Sequence, residues 1–267
     1  MANVQLTFPE GKHKVLTMSY DDGRSADRRL VRTLNQHGIR GTFHLNSGLA
    51  GHHDRIPLEE VKNLYQGHEI AAHSVTHPTL TRCTREQIVG ELMEDRKSLE
   101  RISGYPVRGF SYPNGTFNRQ MQEILPHLGI AYARTVLSHG DFQMPDDYFA
   151  WHPTCHHNQN LLELTEAFKQ LGRRQHLHML YVWGHSYEFD HDNNWDVIER
   201  FCESVSGRDD IWYATNIEIV DYLRRYQSLR FSAGMDLVYN PSYHSIWLEA
   251  NGEVIEVKGG SQIELVK

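Results

Sequence analysis

The chain has 267 residues, a length that allows one large α/β domain or a main domain with a small appendage. With 39% hydrophobic and 23% charged residues, the composition excludes disordered, collagen-like and coiled-coil chains. The net charge of −7 argues against partners that need clustered Lys and Arg, so we expect no nucleic-acid and no membrane partner. The 18 histidines are the unusual number, and because histidine is the commonest metal ligand they suggest a metal site.

The cysteines and the N-terminus bear on the cellular compartment. The three cysteines are far apart and include no Cys-x-x-Cys pair, which predicts neither a disulfide framework nor a thiolate zinc site. No apolar run follows a basic segment near the N-terminus, and no stretch approaches the roughly 18 apolar residues of a membrane span. We therefore expect a cytoplasmic location, while a chain from which a signal peptide had been trimmed would have the same pattern.

Short β-branched or aromatic runs alternate with amphipathic helical stretches along most of the chain. The pattern predicts strands over 15–20, 41–45, 68–73, 108–112, 130–135, 149–154, 177–183 and 211–215. Helices are predicted between them, and Thr84 with Gln87 forms a capping box at the start of one. About seven strand–helix units in one run favour an α/β fold with a distorted, TIM-like (β/α)7-type barrel over an open sheet.

The pattern changes near residue 229 to alternating strands. Strands are predicted over 243–248, 253–257 and 262–266, with Asn251-Gly252 as a hairpin turn. We therefore expect a barrel domain over residues 1–228 and a small antiparallel β extension over residues 229–267. The extension could pack on the barrel, form a dimer contact or extend a cleft, and the oligomeric state is equally open.

Three polar clusters follow predicted strands. Asp21 and Asp22 end the first strand, His73 and His77 follow the third, and His185 ends a late one. In a barrel these strand ends share one face, where barrel enzymes place their active sites. A spacing of four residues on a helical turn puts both imidazoles on one side, so they could bind one cation.

Two histidines and a carboxylate with open coordination positions suit a hydrolytic divalent metal ion. Such an ion polarises a carbonyl oxygen and lowers the pKa of bound water to about 7. Only one of the two aspartates is needed as a ligand, so the other can accept a proton from the attacking water while an imidazole protonates the leaving group. The residues predict one divalent ion, zinc in the first place and cobalt, nickel or manganese as alternatives, in a site that hydrolyses an amide or ester.

Over about residues 10–225 the order of motifs resembles the polysaccharide deacetylase family, the carbohydrate esterases with a NodB-type domain. Residues 19–23, SYDDG, match the family's T-F-D-D-G motif, and residues 73–77, HSVTH, match H-S/T-x-x-H. The family fold is a distorted (β/α) barrel, which agrees with the predicted elements.

The resemblance implies a role for each matched residue of the first two motifs. Asp21 would be the general base, and Asp22, His73 and His77 would be the metal ligands. It further implies that the 1–228 barrel is the catalytic domain and that the reaction is deacetylation of an N-acetylated sugar or oligosaccharide.

The third and last motifs imply the remaining site residues. Tyr112-Pro113-Asn114 falls in the family's R-x-P-Y-G motif, and the backbone N–H of Asn114 would help to form the oxyanion hole. The L-x-x-H motif ends on His185, which would be the general acid, with Trp183 beside the acetyl methyl group. The expected substrate-binding residues are Tyr112, Pro113 and Trp183, although Tyr112 and Trp183 are equally compatible with a substrate wall and with an ordinary core.

Two departures from the family concern substrate recognition. The arginine of the third motif is Ser111 here, and the D-x-x-D-W fourth motif is not recognisable. Arg134, at the end of the next predicted strand, could supply the missing guanidinium to Asp21. These departures leave open a non-sugar amide or cyclic imide as substrate. A non-catalytic carbohydrate-binding protein is the third alternative, although a binder has no need of a base, three ligands and an acid together.

Other histidines are expected to play lesser parts. The run from Trp151 to His157 lacks a paired carboxylate pattern, so we expect a cleft-lining loop or surface segment there rather than a second metal site. The acids that follow His185, among them Glu188, could orient its imidazole or form a charged approach to a helix.

Overall fold

The computed structural model describes residues 3–172 and 175–265. Its strands are β1 (Val4–Leu6), β2 (Lys14–Asp21), β3 (Thr42–Leu45), β4 (Glu69–Ala72), β5 (Gly109–Ser111), β6 (Tyr132–Arg134), β7 (Cys155–His156), β8 (His178–Gly184), β9 (Ile211–Tyr213), β10 (Arg230–Phe231), β11 (Leu237–Tyr239), β12 (Ile246–Ala250), β13 (Glu253–Val257) and β14 (Gln262–Glu264). Its helices are α1 (Asp27–Gln36), α2 (Leu58–Leu64), α3 (Arg85–Ser103), α4 (Arg119–His127), α5 (Leu161–Gln170), α6 (Tyr187–His191), α7 (Trp195–Val205) and α8 (Asn216–Gln227).

The parallel strands form one curled sheet with helices packed against it. The strand order is β6-β5-β4-β3-β2-β8-β7, and β9 pairs with the first residues of β2. Trp151 bridges in parallel to Arg134 of β6, and β7 pairs with β8, so the short 151–156 segment joins the two edges of the sheet. All eight residues of β2 are buried, as expected for a strand covered on both faces. The predicted distorted barrel is confirmed.

The longest helix, α3, shows how local sequence sets an element and what the element carries. Thr84 and Gln87 form the predicted capping box, and Gly104 ends the helix in the left-handed conformation with a φ of 80°. Its buried face contains Asp95 among apolar side chains, and Asp95 accepts the backbone N–H groups of Ser47 and His73. Within the two described ranges, no helix combines the length and apolarity needed to cross a bilayer.

Two predicted strands differ from the structure for local reasons. The segment predicted as a strand over 149–154 begins with a 3-10 turn, Tyr148–Ala150, because Asp147 accepts the N–H of Phe149 at 2.7 Å. Pro153, which has no N–H, also interrupts regular pairing before β7. The strand predicted over 243–248 begins only at Ile246, because the Asn240 side chain donates to the His244 carbonyl and holds a loop there.

Five described strands follow residue 229 and, together with β1 from near the N-terminus, form two three-stranded antiparallel sheets, β1-β12-β13 and β10-β11-β14. Asn251 and Gly252 form the predicted hairpin turn, with φ values of 52° and 85°. The sequence did not predict β1, and Val266, the last residue of the strand predicted over 262–266, lies outside the described residues. The domain boundary at 228/229 stays a prediction.

Candidate metal and catalytic site

Five successive strands have buried polar side chains at or next to their carboxyl ends. The order is Asp21 at the end of β2, His44 in β3, His73 just after β4, Ser111 at the end of β5 and Arg134 at the end of β6. Because the carboxyl ends of parallel strands lie on the same side of the sheet, these residues meet although they are far apart in sequence.

Asp22, His73 and His77, the Asp22 cluster, are three possible metal ligands. Their donor atoms lie within 4.8 Å of one another. The Nε2 atoms of His73 and His77 are 4.0 Å and 3.8 Å from Asp22 Oδ1, and this buried oxygen has no hydrogen-bond partner. A carboxylate oxygen left without a partner beside two imidazole nitrogens fits a divalent cation with nitrogen and oxygen ligands. The structure therefore brings together the three residues that the sequence predicts as ligands.

The His73 ring is oriented for this role by its other nitrogen. Nδ1 lies 2.6 Å from the hydroxyl oxygen and 2.9 Å from the carbonyl oxygen of Ser111; because the carbonyl can only accept, Nδ1 carries the hydrogen. Nε2 then presents a lone pair towards Asp22, the arrangement that metal-binding histidines generally show. Burial lowers the pKa of His73 to about 4, which favours the neutral imidazole that a metal requires.

The turns that present the ligands hold unusual backbone conformations. Asp22, Ser74 and His77 have φ values of 79°, 67° and 59°, a region that costs energy for residues other than glycine. The Asn46 amide holds the second turn by donating to the carbonyls of His73, at 2.6 Å, and Ser74. Strain held in place by such contacts is typical of functional sites.

Asp21 lies beside the cluster and is bound on both carboxylate oxygens. Arg134 Nη2 donates to Oδ2, and the Ser111 hydroxyl donates to Oδ1 at 3.1 Å. His44 Nδ1 is 3.3 Å from Oδ1. Burial alone would raise the pKa of Asp21, but the Arg134 guanidinium, followed by His73 and His44, outweighs it and holds the pKa well below its ordinary value. Asp21 is therefore an anion with a fixed orientation.

Arg134 reaches Asp21 as the sequence suggested. Its side chain is fully buried, Nη1 donates to the carbonyl of Thr135 at 3.2 Å, and the guanidinium lies 4.6 Å from the centre of the Trp183 ring. Ser111, which replaces the family's arginine, contacts the same carboxylate through its hydroxyl. Asp21 thus accepts a hydroxyl and a guanidinium from two neighbouring strands.

His185 is held by Glu188, one turn along the chain. Its Nδ1 is 3.3 Å from Glu188 Oε1, and its backbone N–H donates to Oε2 at 3.0 Å. Burial alone would lower the pKa of His185, but Glu188 and the charges of Asp21 and Asp22 outweigh it, so the pKa lies above its ordinary value. A histidine with a raised pKa near a base of lowered pKa is suited to donate a proton.

Glu188 also contacts two further imidazoles. His156 Nε2 and His157 Nε2 are 3.1 Å and 3.3 Å from Oε2, and the three residues, the Glu188 cluster, form a second group whose donor atoms could surround an ion. For residues 151–157 the sequence predicts a cleft-lining loop or a surface segment rather than a second metal site. In the structure, Glu188 adds the carboxylate that the sequence pattern lacked.

The remaining predicted residues fall in different places. Trp183 is almost buried between Arg134 and His185, whose ring centre is 5.8 Å away. Pro113 is buried, and Asn114 follows it with a φ of 57° and donates from its amide to Thr79 Oγ1. Tyr112 is 1% exposed and donates to the Phe149 carbonyl at 2.7 Å, a position in the core beneath the site.

Sequence reasoning missed two residues that support the site. His44 is the next-to-last residue of β3, and a polar side chain so near the end of a buried strand was the available signal. Asp95 accepts the backbone N–H groups of His73 and Ser47 at 3.0 Å and 2.8 Å. It occupies an apolar-face position of α3, in step with Leu92 and Leu99, and a carboxylate on such a face indicates a buried partner.

Comparison with known proteins supports the assignment of motifs. The sequence model of the family described as Polysaccharide deacetylase matches residues 9–133, which contain the Asp22 cluster and Asp21. The peptidoglycan-N-acetylglucosamine deacetylase PgdA of Listeria monocytogenes is 27% identical over 119 residues, which are 43% of this chain and 25% of that protein. The chain thus matches about a quarter of the length of that relative. The predicted resemblance to polysaccharide deacetylases is confirmed.

Solved structures with the same fold include a candidate polysaccharide deacetylase of Mycobacterium smegmatis, with a TM-score of 0.64 and 18% identity over 84% of this chain and 96% of that one. A family 4 carbohydrate esterase pseudoenzyme of Bacillus anthracis has a TM-score of 0.52 and 18% identity over 80% of this chain and 67% of that one. These likenesses show the fold. Because a pseudoenzyme shares it, activity has to be argued from the site residues.

Proposed function

We propose that this chain is a metal-dependent hydrolase that removes acetyl groups from N-acetylated sugars or oligosaccharides. One observation carries the proposal. The Asp22 cluster and the carboxylate of Asp21, which Arg134 binds separately, lie together at the carboxyl ends of the strands. Two adjacent aspartates then have different partners and can take different roles. The family match and the name of the Listeria relative support the reaction class.

Asp22, His73 and His77 would hold one divalent cation, zinc or alternatively cobalt, nickel or manganese. When bound, the cation supplies Lewis-acid polarisation of the acetyl carbonyl and of the attacking water. The unpartnered Oδ1 of Asp22 and the neutral His73 ring fit this role.

Asp21 is the proposed general base. Its carboxylate is ionised because Arg134 stabilises the charge, and it accepts the proton that water loses when it attacks the acetyl carbon. Arg134 and Ser111 each donate a hydrogen bond to one of its carboxylate oxygens, and together they fix its orientation. Well-oriented groups lower the entropy cost of reaching the transition state.

His185 is the proposed general acid. Glu188 binds its Nδ1 side, which leaves Nε2 to donate a proton to the leaving nitrogen as the carbon–nitrogen bond breaks. Acetate and a free amine are the products. The backbone N–H of Asn114 is proposed to stabilise the developing oxyanion, and Trp183 to contact the acetyl methyl group.

Acetate release tests this function. Purified protein would be assayed for bound metal and then for acetate released from N-acetylglucosamine oligomers and from a panel of small amides and cyclic imides. We expect one divalent ion per chain and release from the oligomers. Release from the small amides or imides alone would replace the sugar substrate, whereas bound carbohydrate without release would support the non-catalytic alternative. No metal and no release would contradict both enzymatic proposals.

A further inference from the structure

Two arginines lie beside the metal-ligand carboxylate. Arg24 Nε is 3.6 Å from Asp22 Oδ2, and Arg55 Nη2 is 4.0 Å from Asp22 Oδ1. The two residues form an isolated antiparallel bridge, supported by the N–H of Ile56, which donates to the Gly23 carbonyl at 2.8 Å. This bridge places both guanidiniums together at the rim of the site.

Neither guanidinium is fully paired. The buried Nε atoms of Arg24 and Arg55 have no hydrogen-bond partner, and the distances to Asp22 exceed those of hydrogen bonds. Burial, followed by the charge of Arg24, lowers the pKa of Arg55, in keeping with two cations held close together. Asp54, the other carboxylate that acts on Arg55, is exposed and already accepts the Ser25 hydroxyl.

The charges around this rim do not cancel when the site holds a divalent ion. Asp22 then serves as a metal ligand, and Asp21 is paired with Arg134, so two guanidinium charges remain largely uncompensated. Such an excess of one sign in a cleft attracts ligands of the opposite sign. The planar guanidinium fork matches carboxylate and phosphate oxygens, which makes an anionic group the fitting ligand.

The position of Arg24 links this charge to the reacting groups. Its guanidinium lies 4.8 Å from the centre of the Tyr187 ring, and that ring lies 5.3 Å from the ring of His185. The Arg24 and Arg55 side chains are 25% and 14% exposed, so a ligand can reach them from solvent. A substrate between the metal ligands and His185 would pass close to Arg24, while Arg55 lies beside the other oxygen of Asp22.

We propose that Arg24 and Arg55 select an N-acetylated sugar that carries a carboxylate or phosphate near its acetamido group. The proposal rests on the deacetylase function and adds the charge of the substrate. If the arginines served only to position Asp22, their removal would affect charged and uncharged substrates alike.

The test compares substrates that differ only in this charge. One pair is a tetrasaccharide of alternating N-acetylglucosamine and N-acetylmuramic acid, as free acid and as carboxyl methyl ester. The other pair is N-acetylglucosamine 1-phosphate, whose phosphate is on the carbon next to the one that carries the acetamido group, and N-acetylglucosamine. Acetate release gives kcat/KM for each substrate with wild type, Arg24→Gln, Arg55→Gln and Arg55→Lys. Arg119→Gln, which changes a 91% exposed arginine on α4, is the matched control.

We expect the charged member of at least one pair to have a kcat/KM about ten-fold higher or more, the factor that one charge-assisted hydrogen bond supplies. Both glutamine variants should bring this ratio towards one, Arg55→Lys should restore part of it, and the control should keep it. The pair that responds identifies carboxylate or phosphate. A wild-type ratio near one in both pairs, or a ratio that both glutamine variants retain, would overturn the inference while leaving deacetylation intact. No acetate from any substrate would overturn the proposed function as well.

Discussion

Two histidine–carboxylate clusters in the described part of the chain have similar compositions, but one histidine of each has the opposite hydrogen-bond pattern from the other. In the Asp22 cluster, His73 Nδ1 donates to the Ser111 carbonyl, so Nε2 presents a lone pair. In the Glu188 cluster, the Asn158 backbone N–H donates to His156 Nδ1 at 3.2 Å, so in the neutral ring Nε2 carries the hydrogen and faces Glu188. The group bonded to the far nitrogen thus decides whether an imidazole can bind a cation or donates a proton.

Other residues pack closely against one ring of the Glu188 cluster. His157 stacks on Phe189 with ring centres 4.1 Å apart, and a Cβ on Gly184 would lie 2.1 Å from His157 Nδ1. Glycine therefore lets the end of β8 approach this ring, immediately before His185. We infer that the Glu188 cluster positions the acid, whereas the Asp22 cluster holds the cation.

The largest expected effect separates the clusters by metal binding. His77→Ala should lose the bound divalent ion and nearly all activity, because two ligands remain, while His156→Ala should keep one ion per chain. Metal analysis after dialysis measures both variants. If His156→Ala lost the metal and His77→Ala kept it, the Glu188 cluster and not the Asp22 cluster would be the metal site.

Asp21→Asn should keep the metal and lower kcat about 10²- to 10⁴-fold, the usual contribution of a general base. The amide fills the same space between Arg134 and Ser111 but cannot accept the proton. Metal content and acetate release, measured on one preparation, separate this result from loss of the ion. Full activity would show that Asp21 is not the base.

Arg134→Ala should lower kcat about 10- to 100-fold, since Asp21 would lose the group that fixes and ionises it. Because Arg134 lowers the Asp21 pKa and the base must be deprotonated, the acidic limb of the pH–rate profile should move to higher pH in the variant. A buried carboxylate without its partner should also lower the thermal midpoint. Unchanged turnover would end the role that we assign to this arginine.

Glu188→Gln should have the smallest effect, a fall in kcat of about ten-fold, because the imidazole of His185 remains in place. Glu188 raises the pKa of His185, and a general acid works only while protonated, so the alkaline limb should move to lower pH. The metal content should not change. An unmoved alkaline limb would show that the Glu188 cluster does not act through His185.

The sequence predicted the barrel and the Asp22 cluster because both depend on local patterns. Strand–helix alternation sets the sheet, and Asp21, Asp22, His73 and His77 lie within short motifs directly after strands. Arg134 was found by the same strand-end logic. These features follow from the rule that parallel strands end together, whereas the choice of Asp22 rather than Asp21 as the ligand came from the resemblance to the family.

Features that depend on distant pairing were harder to predict. His156 and Glu188 are more than thirty positions apart and meet only because β7 pairs with β8. Strand β1 has three residues and is fixed by its partner β12 rather than by its own pattern. Tyr112 was compatible with core and cleft alike, and the Phe149 carbonyl that accepts its hydroxyl in the core is indicated by no motif.

The location of the cation tests the comparison most directly. Crystals grown with zinc would be measured by anomalous diffraction at the zinc absorption edge. We predict one strong peak per chain, between Asp22, His73 and His77, and none beside His156, His157 and Glu188. A peak at the Glu188 cluster with none at the Asp22 cluster would contradict the account.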